Sequence, residues 1–228
     1  MDRASWLREK GWLAEVRMDA LFAPDYDEHW GRVDPTHEAM LVRFLSLLLE
    51  EGVVLDAACG TGKYWPVVLE SGHAVVGTDH SDRMLLNART KFPGVRVEKL
   101  RLRELPFEDR FDGVICVDAM ENVPPEDWLT VLRNFHEALK ADGLLYFTVE
   151  TAAEEDVEAA FVAGKELGLP LLRGEWAHEG GYHFYPELPA VREWCRTSSF
   201  RMVEETSGDG YHHFLVRKEP EIGDSRRR

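Results

Sequence analysis

The sequence predicts an α/β fold in which a mostly parallel sheet carries helices on both faces. Three observations predict it. Short apolar runs rich in β-branched residues alternate with amphipathic stretches of helical period. The first run, Val53-Val54-Leu55, ends in Asp56 and enters a turn holding Gly60-Thr61-Gly62, the order of a strand, a tight loop and a helix. The next run, Ala74 to Thr78, closes on a second acid, Asp79, roughly 20 residues after the first.

The chemistry of that junction points to a nucleoside. Gly60 and Gly62 lack a Cβ, so the backbone can turn sharply and approach a ligand. The helix beginning near Lys63 points unpaired N–H groups at an anionic or zwitterionic group. Asp79 is placed to accept both ribose hydroxyls. The dinucleotide fingerprint G-x-G-x-x-G fits less well, because Gly62 is followed by Lys63, Tyr64 and Trp65 with no third glycine.

In chain order, Ala4 to Leu21 reads as a helix with Trp6, Leu7, Leu13, Val16 and Ala20 on one stripe, interrupted by Gly11. It either covers the ligand site or packs on the sheet. Ala23-Pro24-Asp25 breaks the pattern, and Tyr26-Asp27-Glu28-His29-Trp30 forms a connector. Thr36 to Glu51 reads as an amphipathic helix that turns Met40, Leu41, Phe44, Leu45 and Leu48 inward and ends at Gly52. Pro66 falls in the first turn of the next helix, which Gly72 closes. Ser81 caps a helix over Asp82 to Lys91 that stops before Pro93-Gly94, and Val95 to Leu100 is a third strand. Phe111 to Val117 is a buried fourth strand, Glu126 to Lys140 a helix with its C-terminal turn at Gly143, and Leu144 to Val149 a fifth strand ending at Glu150. Ala152 to Leu167 and Leu188 to Thr197 follow as helices. Phe200 to Glu205 and Tyr211 to Arg217 are strands joined by the tight turn Ser207-Gly208-Asp209-Gly210, with His212 and His213 on opposite faces, and Glu219 to Arg228 is a frayed tail.

Four stretches carry a family resemblance. Leu55 to Gly62 and Val76 to Leu85 resemble the first two motifs of class I S-adenosylmethionine-dependent methyltransferases of small-molecule type, Leu105 to Val114 the following block, and Leu139 to Leu145 the turn into the fifth strand. The resemblance implies a Rossmann-like seven-stranded, mostly parallel sheet with an antiparallel last strand. It implies one methyltransferase domain over 1–228, with a helical cap to residue 51, a cofactor core over 52–150, an acceptor-side insertion with closing strands over 151–218, and a tail. S-adenosylmethionine would sit at the ends of strands one, two and four and leave as S-adenosylhomocysteine. The positions carried over are Asp56, Ala58, Gly60 and Gly62 in the first motif, Asp79, His80 and Met84 in the second, Arg101 and Leu102 after the third strand, and Val117 closing the fourth. Tyr26, in a Tyr-Asp pair, matches a tyrosine that lies over the cofactor. Two positions depart from the pattern. Arg101 stands where an acid holds the adenine amino group, so only backbone contacts carry over there, with Glu104 a possible substitute. Ala58 stands where glycine is usual and narrows the room for the methionine moiety.

The loop Asp118 to Asn122 at the end of the fourth strand then faces the transferred methyl group, with Asp118 and Glu121 as base or orienter. The segment Gly174 to Pro186, dense in aromatics and histidines and bent at Gly180-Gly181, reads as a lid or wall of the acceptor pocket, or as a hairpin packed on the sheet. His178 and His183 are its candidate general bases, because imidazole titrates near neutral pH. Trp30, Glu121, Glu150, Trp176, Tyr182 and Tyr185 complete the expected acceptor side.

Composition narrows the partners. A formal charge of −15 argues against nucleic acid. Asn122-Val123-Pro124-Pro125 is displaced from where amino methyltransferases of nucleic-acid bases place their motif, and Cys116 follows Ile115 rather than the proline of cytosine-carbon enzymes. The scattered Cys59, Cys116 and Cys195 suggest reduced thiols and a cytoplasmic setting, with no metal spacing. No apolar run approaches the ~18 residues of a membrane span. Two other readings stay open: an NAD-dependent oxidoreductase, and a non-catalytic protein that binds S-adenosylmethionine.

Overall fold

The computed structural model describes residues 2–178 and 181–220. Its strands are β1 Val53–Ala57, β2 Ala74–Asp79, β3 Arg96–Lys99, β4 Phe111–Cys116, β5 Leu139–Glu150, the paired β6 Glu175–His178 and β7 Gly181–Phe184, then β8 Phe200–Gly208 and β9 Tyr211–Lys218. Seven of them form one sheet in the order β3-β2-β1-β4-β5-β9-β8. All neighbours in it run parallel except β9, which is antiparallel to both β5 and β8. The strand order reverses between β1 and β4, and that reversal opens a crevice at the carboxyl ends of these strands.

The sheet is buried on both faces, which is why its central strands are apolar throughout. Along β5 and β9 the two-residue period sends Leu145, Phe147, Val149, Phe214 and Val216 to one core layer and Leu144, Tyr146 and Leu215 to the other. Helices α1 Arg3–Arg17, α2 Tyr26–Trp30, α3 Pro35–Leu45, α4 Trp65–Glu70, α5 Asp82–Lys91, α6 Trp128–Ala138, α7 Glu154–Glu166 and α8 Leu188–Thr197 surround it. Trp128 and Phe135 of α6 fill the first layer, while Phe44 of α3 and Trp65 of α4 fill the second. Ser81 caps α5 by accepting the Met84 N–H. Asp209 and Gly210 both take positive φ (54° and 82°), the two-residue turn that suits the right-handed twist of the β8-β9 hairpin.

Several boundaries differ from the sequence reading. The helix expected over Thr36 to Glu51 ends at Leu45, and Ser46 turns the chain by donating to the Arg43 carbonyl. The helix expected to run to Lys140 ends at Ala138, and Leu139 pairs with Phe111 as the first residue of a bulged β5, so Gly143 lies in a strand rather than a helix cap. The first-motif helix begins at Trp65, two residues after Lys63. The third strand spans only Arg96–Lys99, and the sixth of the sheet runs on to Gly208. The N-terminal helix continues through a π-helical turn, Met18–Phe22, and of its expected stripe only Trp6 is buried. The expected bend at Gly180 and the tail from Glu221 lie outside the described residues.

Candidate active site

The first motif is built around a tryptophan. Trp65 is fully buried, and its Nε1 donates to Asp56 Oδ2 at 2.8 Å. A Cβ on Gly62 would meet its ring at 2.6 Å and one on Gly77 at 2.5 Å, so both glycines admit the indole. Asp56 is itself buried, and burial raises its pKa to about 7 against the pull of the Trp65 N–H. Asp56, expected at the cofactor, is therefore an internal anchor for α4. Trp65 also occupies the position of the third glycine in a dinucleotide fingerprint, which removes the close helix–strand approach that an NAD site uses.

Gly60 is different. It has φ +52° and nothing within 4 Å of its Cβ position, so its face opens on free space. Beside it, Asp79 accepts the Gly60 N–H through Oδ2 at 2.9 Å and the Ser81 N–H through Oδ1 at 2.8 Å. Each oxygen keeps a second lone pair for a donor such as a ribose hydroxyl. His80 Nδ1 is 3.6 Å from Asp79 Oδ1. Ala58 takes a left-handed φ of 66°, the conformation for which glycine is usual. Met84 and Val117 are buried at the back of this crevice. Arg101 leans away to pair with Glu15 of α1, Leu102 opens a 3-10 turn whose carbonyl accepts from Asn134, and Glu104 is exposed.

Asp118, at the end of β4, joins segments that sequence reasoning did not connect. Its carboxylate accepts from His37 Nε2 at 2.8 Å, Tyr64 OH at 2.8 Å and Lys63 Nζ at 3.1 Å, while its N–H donates to Thr148 Oγ1 at 2.9 Å. Burial alone would raise its pKa, but the His37 bond and the Lys63 charge win and hold it at about 2. Such a carboxylate is a poor base and a good fixed anion. Behind it His37 packs 4.7 Å from His213, whose Nδ1 is 3.0 Å from Tyr146 OH.

The N-terminal cap closes over the crevice through polar contacts. Asp27 accepts from Thr61 of the first motif and from Lys91 Nζ at 2.8 Å, Asp19 accepts from Ser81, and the Ala23 carbonyl accepts from Asn87 at 2.8 Å. Tyr26 is thereby held where its phenol feels Asp118, Asp79 and Glu121, and burial foremost raises its pKa to about 12. Trp30 packs on Tyr26 at 5.6 Å and stays nearly half exposed.

The β6-β7 hairpin divides its residues by the strand period. Tyr182 and Phe184 turn to the core, whereas His183 and Tyr185 turn outward beside Trp176, which is in register with His183. Tyr182, expected in the acceptor pocket, instead donates to Glu175 Oε1 at 2.6 Å and packs on Trp6. Fully buried Glu175 also receives both terminal nitrogens of Arg3, at 2.6 and 2.9 Å, so α1 and the hairpin are clamped together. His183 Nδ1 is 2.7 Å from Glu150 Oε2 and 3.2 Å from Tyr185 OH, and the Glu150 charge outweighs burial to raise its pKa. His178 closes β6, and its side chain lies outside the described residues. No group of acids, histidines and cysteines among the described residues has the spacing of a metal site. No helix among them is long and apolar enough to cross a membrane.

Comparison with known proteins places this geometry. Residues 54–143 match the family described as a methyltransferase domain. The chain is 25% identical over 199 residues to an uncharacterised methyltransferase of Oceanobacillus iheyensis, covering 82% of this chain and 90% of that protein. It is 32% identical over 111 residues to the YqeM protein of Bacillus subtilis, where the alignment covers 46% of this chain but only 45% of that one. Magnesium protoporphyrin IX methyltransferase of Synechocystis PCC 6803, solved with bound S-adenosylhomocysteine, has the same fold, with a TM-score of 0.68 at 17% identity over 92% of this chain and 100% of that one.

Proposed function

We propose that this protein transfers a methyl group from S-adenosylmethionine to a small-molecule acceptor: residues 54–143 match the family described as a methyltransferase domain, and the sheet that carries them has the fold of a solved S-adenosylmethionine-dependent methyltransferase. One observation carries the cofactor assignment. At the switch point of the sheet, the open face of Gly60 lies against a carboxylate, Asp79, whose orientation two backbone N–H groups fix. That oriented acceptor fits the hydroxyls of a ribose beside a close backbone approach. In this reading Tyr26 covers the site and Ala58 and Gly60 line it. The alanine at position 58 and the arginine at 101 adjust this cradle and leave the Asp79 nest intact.

S-adenosylmethionine supplies a methyl group on a sulfonium, whose sulfur leaves as a neutral thioether. The chain therefore has to align the acceptor and exclude water. Asp118, fixed by three donors, sits between the cofactor side and the acceptor side as a permanent negative charge. His183, Glu150, Tyr185 and Trp176 form the acceptor wall, with His183 paired to Glu150. The net charge of −15 supports a small acceptor over nucleic acid, and three free, buried cysteines suit a cytoplasmic setting.

Isothermal titration calorimetry with S-adenosylmethionine, S-adenosylhomocysteine and NAD tests the assignment. Binding of the first two and not the third is expected. Asp79→Ala is expected to weaken that binding by about 1–3 kcal/mol, the cost of lost hydrogen bonds to a carboxylate. A folded wild-type protein that binds neither sulfur compound overturns the proposal.

A further inference from the structure

The acceptor side holds one acid that nothing on the cofactor side uses. Glu121 lies in the 3-10 turn Met120–Asn122, which packs against β5 and β7. It is only 5% exposed, yet its Oε2 has no hydrogen-bond partner among the described residues. Its Oε1 accepts only a side-chain amide, that of Asn122, at 3.1 Å. The other acids of the site are provided for. Asp118 has Lys63 and His37, and Glu150 has His183. Among the described residues Glu121 is thus a buried carboxyl with one oxygen unsatisfied, on the turn that packs against β5 and β7.

The groups around that space define what it takes. The Glu121 carboxyl feels His183, Asp118 and Glu150, and the phenols of Tyr26, Tyr185 and Tyr211 in turn feel Glu121. Cys116, on the strand beneath, is buried as a neutral thiol. Three phenols thus lie within electrostatic reach of this carboxyl, and Lys63 is committed to Asp118. A buried acceptor oxygen without a donor calls for a ligand that brings N–H groups, and neighbouring tyrosines suit a cation.

We propose that the methyl acceptor is an amine, docked as an ammonium on Glu121, and that Glu121 then removes the proton that frees the nitrogen lone pair. This rests on the methyl-transfer reading above. Burial, foremost, raises the pKa of Glu121 to about 8 against a backbone hydrogen bond and the pull of His183, so the empty site keeps it protonated near neutral pH. Docking an ammonium releases that proton to solvent and leaves a carboxylate paired with R–NH3+. The carboxylate takes one proton back from nitrogen, giving R–NH2 and the acid. The freed lone pair forms the N–C bond to the methyl carbon as the C–S bond breaks, and its electrons stay on sulfur. The methylated nitrogen carries the positive charge that sulfur loses.

The test uses the full chain saturated with S-adenosylhomocysteine and three probes that differ only in head group: 2-phenylethylamine, 2-phenylethanol and 3-phenylpropanoate. Calorimetry at pH 7 in two buffers of different ionisation enthalpy reads affinity and proton release together. The amine is expected to bind at least about tenfold more tightly than either analogue, as a hydrogen-bonded charge pair does over a neutral contact. It is also expected to release a fraction of a proton. Glu121→Gln is expected to erase both effects while S-adenosylhomocysteine affinity stays unchanged. Binding of S-adenosylhomocysteine without preference for the amine overturns the amine proposal alone, and the wild-type comparison decides this even if the variant does not fold. Failure to bind S-adenosylhomocysteine overturns the methyl-transfer reading and this inference with it.

Discussion

Replacing Asp118 by asparagine tests the polar centre of the site. The carboxylate is held at a pKa of about 2 against an ordinary 3.8, because His37, Lys63 and Tyr64 converge on it. At about 1.4 kcal/mol for each pKa unit, that difference corresponds to roughly 2.5 kcal/mol of folding stability. The group is mostly buried, so solvent screens little of it. Because the folded pKa is depressed, this stability is fully present well above pH 3.8 and is lost as pH falls through about 2. Urea denaturation of wild type and Asp118→Asn at pH 7, 4 and 3 reads it directly. The wild type is expected to lead by about 2.5 kcal/mol at pH 7, and about half of that lead is expected to be gone at pH 3. Other depressed carboxylates, such as Asp112 and Glu205, titrate in both proteins and cancel in the difference. A gap that stays constant from pH 7 to pH 3 refutes the assignment of that charge to this network.

Further outcomes follow from named contacts. Ala58→Gly relieves a left-handed alanine that costs about 1–2 kcal/mol, offset by roughly 0.4–1 kcal/mol of added freedom in the unfolded chain, so a thermal melt is expected to show no loss or a gain of up to about 1.6 kcal/mol. Trp65→Phe strips buried Asp56 of the one side-chain donor it has among the described residues, at a cost of about 1–3 kcal/mol. Because the folded pKa of Asp56 is raised to about 7, stability falls as pH rises from 3.8 toward 7, and urea curves at pH 6 and 8 are expected to show the larger cost at pH 8. Arg3→Met leaves the buried Glu175 charge unpaired, at about 3–5 kcal/mol, and hydrogen exchange is expected to quicken in β7 and α1 together.

Much of the core was legible because its signals are local. Ser81 announces α5 by capping it, and the helices over 82–91 and 188–197 have the expected bounds. The strand ends that face the crevice were found from acids closing apolar runs, since an acid at Asp79 or Glu150 is out of place in a core and in place at a ligand. What was missed depends on partners far along the chain. Leu139 lies one helical turn beyond Phe135 and extends the helical pattern, yet pairing with Phe111 of β4 draws it into a strand. Leu47 and Leu48 stay partly buried after α3 has ended, so apolarity there did not mark the helix end. His37, Lys63 and Tyr64 meet Asp118 across 81, 55 and 54 residues, and no spacing rule reports such a meeting. Gly62 was read as a ligand cradle, but a bulky ring three residues on is a second reason for glycine, and Trp65 was in plain view.

Asp118 and Glu121 stand three residues apart on one loop, and the fold drives their proton affinities in opposite directions. Three donors from α3 and the first motif surround Asp118 and hold it ionised, whereas Glu121 meets a single amide in a buried setting and stays protonated. Two like charges so close would oppose each other, and the Asp118 charge is one of the causes that raise the pKa of Glu121. Keeping one neutral removes that conflict in the empty site, and an arriving cation restores it as an attraction to both. Where neighbouring acids are pushed apart in this way, the fixed anion orients and the poised one exchanges protons. The loop after β4 therefore holds a fixed anion and a protonated acid within one turn of backbone. Lys63 belongs to the same device: moved from Asp118 to Glu121, its charge would fill the place that the acceptor nitrogen is proposed to take.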